Sequence, residues 1–450
     1  MSHPFAIMVH DDNMVAQQFG ELGDYPSSFC CLAVADTGAA LKHSRAGGAV
    51  VSHRYRLYPT TSQMAVLHNH CRDARFVWNL ALEQMNLWST GRTPADMRSW
   101  DRQLADARQA FSWLASGSSS VQQGALRDLR QSFRNWWSRP DHFGRPTWRK
   151  QRINEGFVVR DLTVNVLNRQ WAAVLVPKAG LVRFRLSRPL PDNVRSARVT
   201  YDRAGRWHVS ILAPQTAVER TRTGYEAGID LGVASSVATS NGNVSRMPKL
   251  LSPGQVQRKR RLQRRLTRQQ PGSNRRQRTK TAIARLSALE ADRRKNWIEQ
   301  VTTDLVRSFD LIVIENLNVR GMTRSARGTV SSPGRNVAQK RGLNRAILAQ
   351  AWGLFRRRLT DKATSAGVEL IAVNPAYTSQ RCHKCGHTAS ESRKSQAVFH
   401  CINCDYWAHA DVNAACNILA AGRAVAGRGG TSHAVPAKRP DETSTNPEAA

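Results

Sequence analysis

The order of apolar and polar positions predicts a first strand followed by two long amphipathic helices. The segment "VSHRYRLYP" at 51–59 alternates over a short stretch, which is typical of a strand, and Pro59 ends it. Apolar residues at helical spacing follow over 60–88 and again over 121–140. The predicted inward-facing residues are Met64, Leu67, Cys71, Phe76 and Leu80 in the first helix, and Leu126, Leu129, Phe133 and Trp136 or Trp137 in the second.

Between about 155 and 218 the pattern changes to short strands separated by turns. The segments "FVVRDLTVNVL", "WAAVLVP", "LVRFRL" and "RWHVSILAP" have the length and composition of strands. They predict a small antiparallel β-barrel or sandwich, which the strand at 51–58 completes. This β-domain would comprise residues 51–60 and 151–222, and residues 61–150 would be a helical insertion into it.

From residue 224 onward the alternation of strands and helices indicates an α/β domain. The dipeptide Asn241-Gly242 lies between two half-apolar segments, which predicts a tight hairpin. Later, "FDLIVIENL" at 309–317 is a short apolar run typical of a central strand buried on both faces. We expect this domain to span residues 223–379 and 406–424.

The two ends of the chain lack the periodicity of packed elements. Residues 1–50 predict a flexible leader, unless the true start of the protein lies downstream. Residues 425–450 are rich in Ala, Gly, Pro, Ser and Thr, a composition that favours disorder.

The charge of the chain points to a polyanionic partner. It carries 67 Lys and Arg against 33 Asp and Glu, a formal net charge of +34 with a sequence pI near 11.2. Nucleic acid is the usual partner of such a protein, and a cationic membrane surface protein is the alternative. No run of 18 apolar residues and no secretory signal is present, so we expect a cytoplasmic, nucleoid-associated prokaryotic protein that does not enter a membrane.

Five of the eight cysteines fall within 35 residues near the C-terminus. Cys382 and Cys385 form one C-x2-C pair, and Cys401 and Cys404 form a second pair after a 15-residue gap. This spacing predicts a zinc ribbon over 380–405 that holds one structural Zn²⁺, with an iron site or chance spacing as alternatives. The nearby histidines are expected at the surface or behind the ligands, and Cys416 in the core.

Three acidic residues stand where an α/β sheet places its sites. Asp230 lies between Ile229 and Leu231 in a segment that otherwise predicts a buried strand, where an unpaired carboxylate is costly. Glu315 stands at the C-terminal end of the apolar strand, and Asp411 begins a helix of small residues. Each acid alone could be a turn former or a helix cap.

Taken together, the three acids match the layout of an RNase H-like nuclease. Converging carboxylates there hold two divalent cations roughly 3.5–4 Å apart, and hard oxygen ligands suit Mg²⁺. Such a pair would supply an attacking hydroxide and stabilise the leaving 3′-oxygen. The cations would also offset the cost of burying Asp230.

Several motifs together resemble the TnpB (OrfB) family, the transposon-associated group related to compact type V CRISPR effectors. They are "RLYPTTSQ", "RFVWNLAL", "GRPTWRK", "GIDLGV", "LIVIENL", "NPAYTSQRCHKCG" and "DVNAACNI", in family order over about 51–425. The resemblance implies an RNA-guided DNA endonuclease with a RuvC-like domain. It also implies that Asp230, Glu315 and Asp411 form the catalytic triad and that the four paired cysteines bind zinc.

The resemblance further implies nucleic-acid-binding parts outside the RuvC-like domain. The β-domain with its helical insertion would be the wedge and recognition lobe. At the start of the second helix, Gln123 could contact an adenine of the target duplex with help from Ser119 and Ser120, although all three could simply cap the helix.

A strongly basic segment at 257–297 predicts a helical hairpin that turns at Pro271-Gly272. Its arginines are expected to follow the phosphates of the guide–target heteroduplex, which would make binding dependent on salt. A solvated charged face is the alternative. The arginines of its first helix that we expect to bind nucleic acid are Arg260, Arg261, Arg264, Arg265 and Arg268.

The sequence therefore predicts a protein that binds a structured guide RNA, recognises a short motif in duplex DNA and cuts both strands with one Mg²⁺-dependent site. A non-cleaving RNA-guided regulator and a guide-independent transposase are the alternatives. A monomer is favoured over a dimer. Whether the gene belongs to a transposon or to a CRISPR locus, and which motif it recognises, does not follow from the sequence.

Overall fold

The computed structural model describes residues 50–86, 97–191, 194, 196–214 and 220–427. The chain divides into two compact units, residues 1–215 and 216–450. The predicted leader, apart from Val50, and the predicted tail after residue 427 lie outside the described residues.

The N-terminal unit contains two antiparallel sheets. The larger sheet has the order β1-β7-β6-β2, and the smaller one has the order β3-β4-β5. An isolated bridge between Leu57 and Phe184 links the chain after β1 to β5. The strands are β1 (Val50–Arg56), β2 (Glu155–Arg160), β3 (Val164–Asn168), β4 (Trp171–Val176), β5 (Gly180–Arg185), β6 (Ser196–Tyr201) and β7 (Trp207–Pro214).

The predicted strands of this unit are present, and the first strand pairs antiparallel with β7. Strand β6, "SARVTY", was not predicted. Only Ala197 and Val199 are buried in it, so its apolar signal is weak. It nevertheless lies at the centre of the larger sheet, between β7 and β2.

Between β1 and β2, where the structure describes residues 57–86 and 97–154, four helices occur: α1 (Thr61–Asn86), α2 (Trp100–Ala110), α3 (Ser112–Ala115) and α4 (Ser119–Ser138). Helices α1 and α4 match the two predicted helices and pack on each other and on β2. The prediction for Phe76 is wrong, because its side chain is 37% exposed. The buried face of α1 instead includes the polar residues His70 and Asp73, which a search for apolar periodicity cannot find.

The C-terminal unit is built on a mixed five-stranded sheet of order β10-β9-β8-β11-β12. Strands β8 (Glu226–Asp230), β9 (Val237–Thr239) and β10 (Val244–Ser245) form an antiparallel meander, with the predicted Asn-Gly turn between the last two. Strands β11 (Leu311–Glu315) and β12 (Glu369–Val373) continue the sheet in parallel with β8.

Both faces of the central strand β11 are covered, as its apolar run predicted. Ile312 and Ile314 pack in a cluster with helices α6 (Asn274–Ser308) and α9 (Trp352–Ala366). Leu311 and Val313 pack on the other face against helix α10 (Ala410–Val425). This three-layer arrangement fixes α10 directly against the strands whose ends carry the predicted acids.

The basic segment forms the predicted helical hairpin, in which α5 (Pro253–Thr267) is followed by α6. Ser252 and Gln255 form a capping box at the start of α5. Arg276 donates to the carbonyl oxygens of Leu266 and Gln269, both at 2.6 Å, and so closes the turn between the helices.

The remaining elements are the short helix α7 (Val319–Met322), α8 (Val337–Gln350), a single 3₁₀ turn (Ser390–Ser392) and the hairpin of β13 (Val398–His400) with β14 (Trp407–His409). Strand β14 lies beyond residue 405, so the small hairpin extends past the predicted end of the ribbon. No helix within the described ranges is both long and apolar enough to cross a membrane.

Candidate functional site

The predicted acids Asp230 and Glu315 lie at the same edge of the C-terminal sheet. Each is the last residue of its strand, and the preceding residues, Ile229 and Ile314, pair in parallel register. Because parallel strands point the same way, both carboxylates emerge where β8 and β11 end. Glu315 is 9% exposed, and Asp230 is partly buried.

Asp411 approaches this edge from a different element. It is the second residue of α10, and the imidazole of His409 accepts a hydrogen bond from its backbone amide at 3.2 Å. The Asp411 side chain is largely buried, and its Oδ1 lies 3.4 Å from Nη2 of Arg393. One guanidinium therefore stands beside the acids.

The electrostatics of Asp230 indicate that the charges of the other two acids act on it. Burial, together with the charges of Glu315 and Asp411, raises the pKa of Asp230 to about 7, although Arg393 opposes this shift. Burial also raises the pKa of Glu315, against a hydrogen bond that Thr378 Oγ1 donates to its Oε1 at 2.6 Å. Like-charged carboxylates are costly in such a place, and a divalent cation would relieve that cost.

The three carboxylates are spaced more widely than the ligands of a single ion. They do not form a group whose donor atoms all lie within 4.8 Å of one another. Carboxylate oxygens are the ligands that suit Mg²⁺, so the donor chemistry of the three acids fits such ions.

The four predicted zinc ligands do form a compact group. The described residues contain one set of three or more His, Cys, Asp or Glu side chains whose ligand atoms all lie within 4.8 Å of one another. Its members are Cys382, Cys385, Cys401 and Cys404. The Sγ atoms of Cys382 and Cys404 are 3.7 Å apart, and those of Cys385 and Cys401 are 3.6 Å apart. Tetrahedral zinc with Zn–S bonds of about 2.3 Å separates its sulfurs by about 3.8 Å, so the thiols fit Zn²⁺.

The histidines near these cysteines lie outside the four-thiol group. His409 caps α10, and His400 pairs with Asp405 and stacks on Trp407. Cys416 is half-buried, and its thiol donates to the carbonyl oxygen of Ser240 at 3.5 Å.

The predicted arginines of α5 are all exposed, and most of them line one cleft. The cleft is lined by Gln269 and by five arginines: Arg261, Arg264, Arg265, Arg268 and Arg275, of which Arg275 belongs to α6. No acidic residue occurs between 253 and 289, and Glu290 is engaged by Lys259 at 2.7 Å and by Arg294 at 3.0 Å. The cleft is therefore a cationic surface, and residues 253–289, which include all of its lining residues, contain no carboxylate side chain.

Ser119, Ser120 and Gln123 are exposed at the start of α4. No side-chain hydrogen bond caps this helix, so the capping alternative receives no support from the structure. The neighbouring Gln122, which sequence reasoning missed, is fully buried and donates to Asp73 Oδ2 at 3.2 Å and to the Leu114 carbonyl at 2.9 Å. A single glutamine in a polar stretch gives no sequence signal for such a role.

Comparison with known proteins identifies the family. Residues 51–92 match the helix-turn-helix domain of the IS605 OrfB proteins, residues 208–326 match their domain described as a probable transposase, and residues 352–418 match the Cas12f1-like TNB domain. A putative RNA-guided DNA endonuclease, InsQ of Escherichia coli K12, is 37% identical over 380 residues, which cover 83% of this chain and 92% of that protein.

Other relatives extend the match. A putative RNA-guided DNA endonuclease of Streptomyces pristinaespiralis is 30% identical over 84% of this chain and 90% of its own length. The CRISPR-associated endodeoxyribonuclease Cas12f1 of Sulfoacidibacillus thermotolerans is 45% identical over 71 residues, 15% of this chain and 17% of that protein. Among solved structures, a Cas12f1–sgRNA–target DNA complex aligns with 79% of this chain and 82% of its own at 15% identity and a TM-score of 0.49.

The fold and the site define a two-unit protein in which an α/β unit carries both an acidic sheet edge and a four-cysteine candidate metal centre. The chain belongs to the TnpB (OrfB) family. The family resemblance inferred from the sequence motifs is thereby confirmed.

Proposed function

We propose that this protein is an RNA-guided DNA endonuclease with one RuvC-like, Mg²⁺-dependent site formed by Asp230, Glu315 and Asp411. The observation that carries the proposal is the meeting of these three acids at the end of two parallel strands, with the pKa of Asp230 raised to about 7. The names of the full-length relatives support the same activity.

The sheet supports the RuvC-like assignment. A three-stranded antiparallel meander continues into two parallel strands, with helices on both faces, and this order supports the RNase H-like arrangement that we propose. We further propose that residues 51–60 and 151–222 form the wedge domain around a recognition insertion at 61–150. Residues 223–379 and 406–424 would form the nuclease domain, with the zinc ribbon at 380–405.

The residues of this chain would divide the catalytic work as follows. The three carboxylates would hold the cations, which would supply an activated water and stabilise charge on the leaving oxygen. Thr378 orients the Glu315 carboxylate through its hydroxyl, and Arg393 limits repulsion among the acids by its charge beside Asp411. Because one acidic site is proposed, both DNA strands would be cut there in turn.

Guide RNA and target DNA are the proposed partners. The cleft of Arg261, Arg264, Arg265, Arg268 and Arg275 offers a cationic surface for the sugar–phosphate backbone, and Arg260 is exposed on the same helix. Base pairing between guide and target would supply the choice of sequence.

The test begins with protein purified from cells that co-express its native locus. We expect a discrete co-purifying RNA with a variable segment, and Mg²⁺-dependent cleavage of a plasmid matching that segment. Asp230→Asn should abolish cleavage while RNA binding stays normal, and Asp304→Asn, which neutralises an exposed acid on α6, should cut as the wild type does.

Three results would contradict the proposal. Cleavage by Asp230→Asn at the wild-type rate would remove Asp230 from the active site. Guided binding by the wild type without cleavage would favour a regulator, and strand transfer without bound RNA would favour a transposase.

A further inference from the structure

Two motifs contain polar groups in addition to the three proposed cation-binding acids. In "DVNAACNI" these are Asn413 and Asn417, and in "NPAYTSQRCHKCG" they are Thr378 and the backbone around the first zinc-ligand pair. Asn413 is fully buried and Asn417 is 8% exposed. Buried amides are retained only where they are hydrogen-bonded, so their partners show what they hold together.

Asn413 joins α10 to the first cysteine pair. Its Oδ1 accepts from the backbone amide of His383 at 3.0 Å, and its Nδ2 donates to the carbonyl of Arg381 at 2.8 Å. These two backbone groups lie on either side of Cys382. The side chain therefore holds the backbone that presents one cysteine ligand, from a position two residues after Asp411.

Asn417 makes a second connection one helical turn later. Its Nδ2 donates to the same Arg381 carbonyl at 2.6 Å and to the carbonyl of Thr378 at 2.9 Å. Residues four apart lie on one face of a helix, so both asparagines can form hydrogen bonds with the backbone segment that leads into the proposed zinc ligands. Thr378, at the start of that segment, donates its hydroxyl to Glu315 Oε1 at 2.6 Å.

We propose that Asn413, Asn417 and Thr378 are positioning residues through which the folded zinc ribbon sets two of the three acids. The ribbon fixes the backbone at 381–383. The hydrogen bonds of the two asparagines fix α10, and therefore Asp411, relative to this backbone. The hydroxyl of Thr378 fixes the carboxylate of Glu315 in the same way. Zinc in the ribbon thus controls divalent-cation affinity at the acidic site. This inference rests on the proposed function, because it requires the acids to bind a cation.

The test measures cation binding instead of cleavage. Mn²⁺ is titrated into the full chain as isolated with its zinc, and binding is followed by the loss of the free-ion signal in electron paramagnetic resonance. Asp230→Asn identifies the signal that belongs to the acidic site. Zinc content and the unfolding midpoint are recorded for every variant, so that a folding failure is recognised.

The variants separate positioning from general stability. Asn413→Leu and Thr378→Val remove the connecting groups, and we expect each to weaken Mn²⁺ binding about tenfold or more while zinc stays at one equivalent. Thr378→Ser keeps the hydroxyl and should bind as the wild type does. Ser392→Ala is the matched control, because Ser392 is fully buried but its hydroxyl accepts from Ile402 inside the ribbon. Cys385→Ser, which weakens zinc binding, should weaken Mn²⁺ binding as well.

The outcomes distinguish a failure of the proposed cation site from a failure of the proposed coupling alone. If Asp230→Asn and the wild type bind Mn²⁺ equally, both the cation site and the coupling are overturned. If Mn²⁺ binding depends on Asp230 but Thr378→Val and a folded, zinc-loaded Asn413→Leu bind within twofold of the wild type, the coupling alone is overturned. Should Asn413→Leu fail to fold, the pair Thr378→Val and Thr378→Ser still decides, because each changes few atoms.

Discussion

Gly228 of β8 lies directly against the backbone of Ala415 in α10. A Cβ at Gly228 would overlap the carbonyl oxygen of Ala415 and would lie 2.6 Å from the amide nitrogen of Leu419. Gly422, two turns further along α10, approaches Val313 of β11 in a similar way. The small residues of the last helix thus allow it to rest on the strands that carry Asp230 and Glu315.

This contact makes Gly228→Ala a test of how the site is assembled. The methyl group meets backbone atoms, which cannot rotate away, so we expect a loss of about 3 kcal/mol or more in the free energy of unfolding of the C-terminal unit. Gly342→Ala is the control, because Gly342 is an exposed position inside α8 with nothing within 4 Å of its added Cβ. That substitution should be neutral or stabilise by up to about 1 kcal/mol. Equal unfolding midpoints for the two variants in chemical denaturation would contradict the packing described here.

The three acids could be proposed as site residues from the sequence because each breaks or ends a simple pattern. Asp230 interrupts an apolar strand, Glu315 ends one, and Asp411 precedes a run of small residues, so charge stands out against a uniform background. The cysteines are predictable for a related reason, since metal geometry dictates their spacing. Both signals are local along the chain.

The features that could not be predicted from the sequence depend on contacts between residues that are distant in the chain. Asn413 and Gln122 look like ordinary polar residues of helices, and only tertiary contacts make them buried and bonded. Strand β6 has few buried apolar residues, so its place between β7 and β2 could not be recognised from its own pattern. Phe76 fits a helical stripe, yet neighbouring positions supply the buried face of α1.

Removal of one proposed zinc ligand should reduce zinc binding, whereas removal of a cysteine outside the ribbon should not. Cys385→Ser is expected to lower the zinc content well below one equivalent and to lower the unfolding midpoint, because a structural zinc ion contributes directly to folding. Cys416→Ser, which alters a thiol outside the four-thiol group, should retain the full equivalent. Elemental analysis by mass spectrometry measures both variants, and equal zinc contents would exclude the proposed ligand set.

The acid stability of the C-terminal unit should depend on Asp310. Burial tends to raise the pKa of this carboxyl, but hydrogen bonds from Arg220 and from the backbone amides of Gly224 and Thr223 outweigh it, so the pKa lies below its ordinary value. A lowered pKa means that the carboxylate stabilises the folded state above the unfolded pKa, and that this contribution is lost as the pH falls through the folded one.

Asp310→Asn should therefore destabilise the unit at pH 7 by about 1 kcal/mol, a modest value because the side chain is partly exposed. At pH 3, which is below the unfolded pKa, the difference in the free energy of unfolding between the variant and the wild type should be smaller than at pH 7. Urea unfolding at the two pH values measures the difference, and Asp304→Asn serves as a control without these amide donors. If the difference in the free energy of unfolding between Asp310→Asn and the wild type stays constant or increases toward low pH, the charge of the carboxylate is not the cause of the destabilisation.

Binding of guide RNA should depend on the arginine cleft in a salt-dependent way. Arg264→Gln with Arg268→Gln removes two exposed cations of the cleft. We expect the slope of log affinity against log salt to fall by about 0.7 to 0.9 for each lost phosphate contact. The pair Arg307→Gln and Arg357→Gln removes the same charge from exposed positions of the C-terminal unit outside the cleft and should leave the slope nearly unchanged. Filter binding over a range of salt concentrations measures both, and identical slopes would assign the cleft no role in phosphate binding.

The adjacent glutamines of α4 should have opposite effects when they are replaced. Gln123 is exposed, and an amide can contact an adenine edge with two hydrogen bonds, a contact worth about 1–3 kcal/mol of discrimination. Gln123→Ala should therefore relax the preference for one base beside the target by about tenfold without changing the unfolding midpoint. Gln122→Ala should lower the midpoint instead, because it removes the amide that donates to the buried Asp73 carboxylate and the amide oxygen that accepts from Arg108. Gln131→Ala, an exposed glutamine of the same helix, should do neither. Cleavage of a plasmid library with randomised flanking bases measures the preference, and an unchanged preference in Gln123→Ala would mean that this end of α4 does not contact the DNA bases through Gln123.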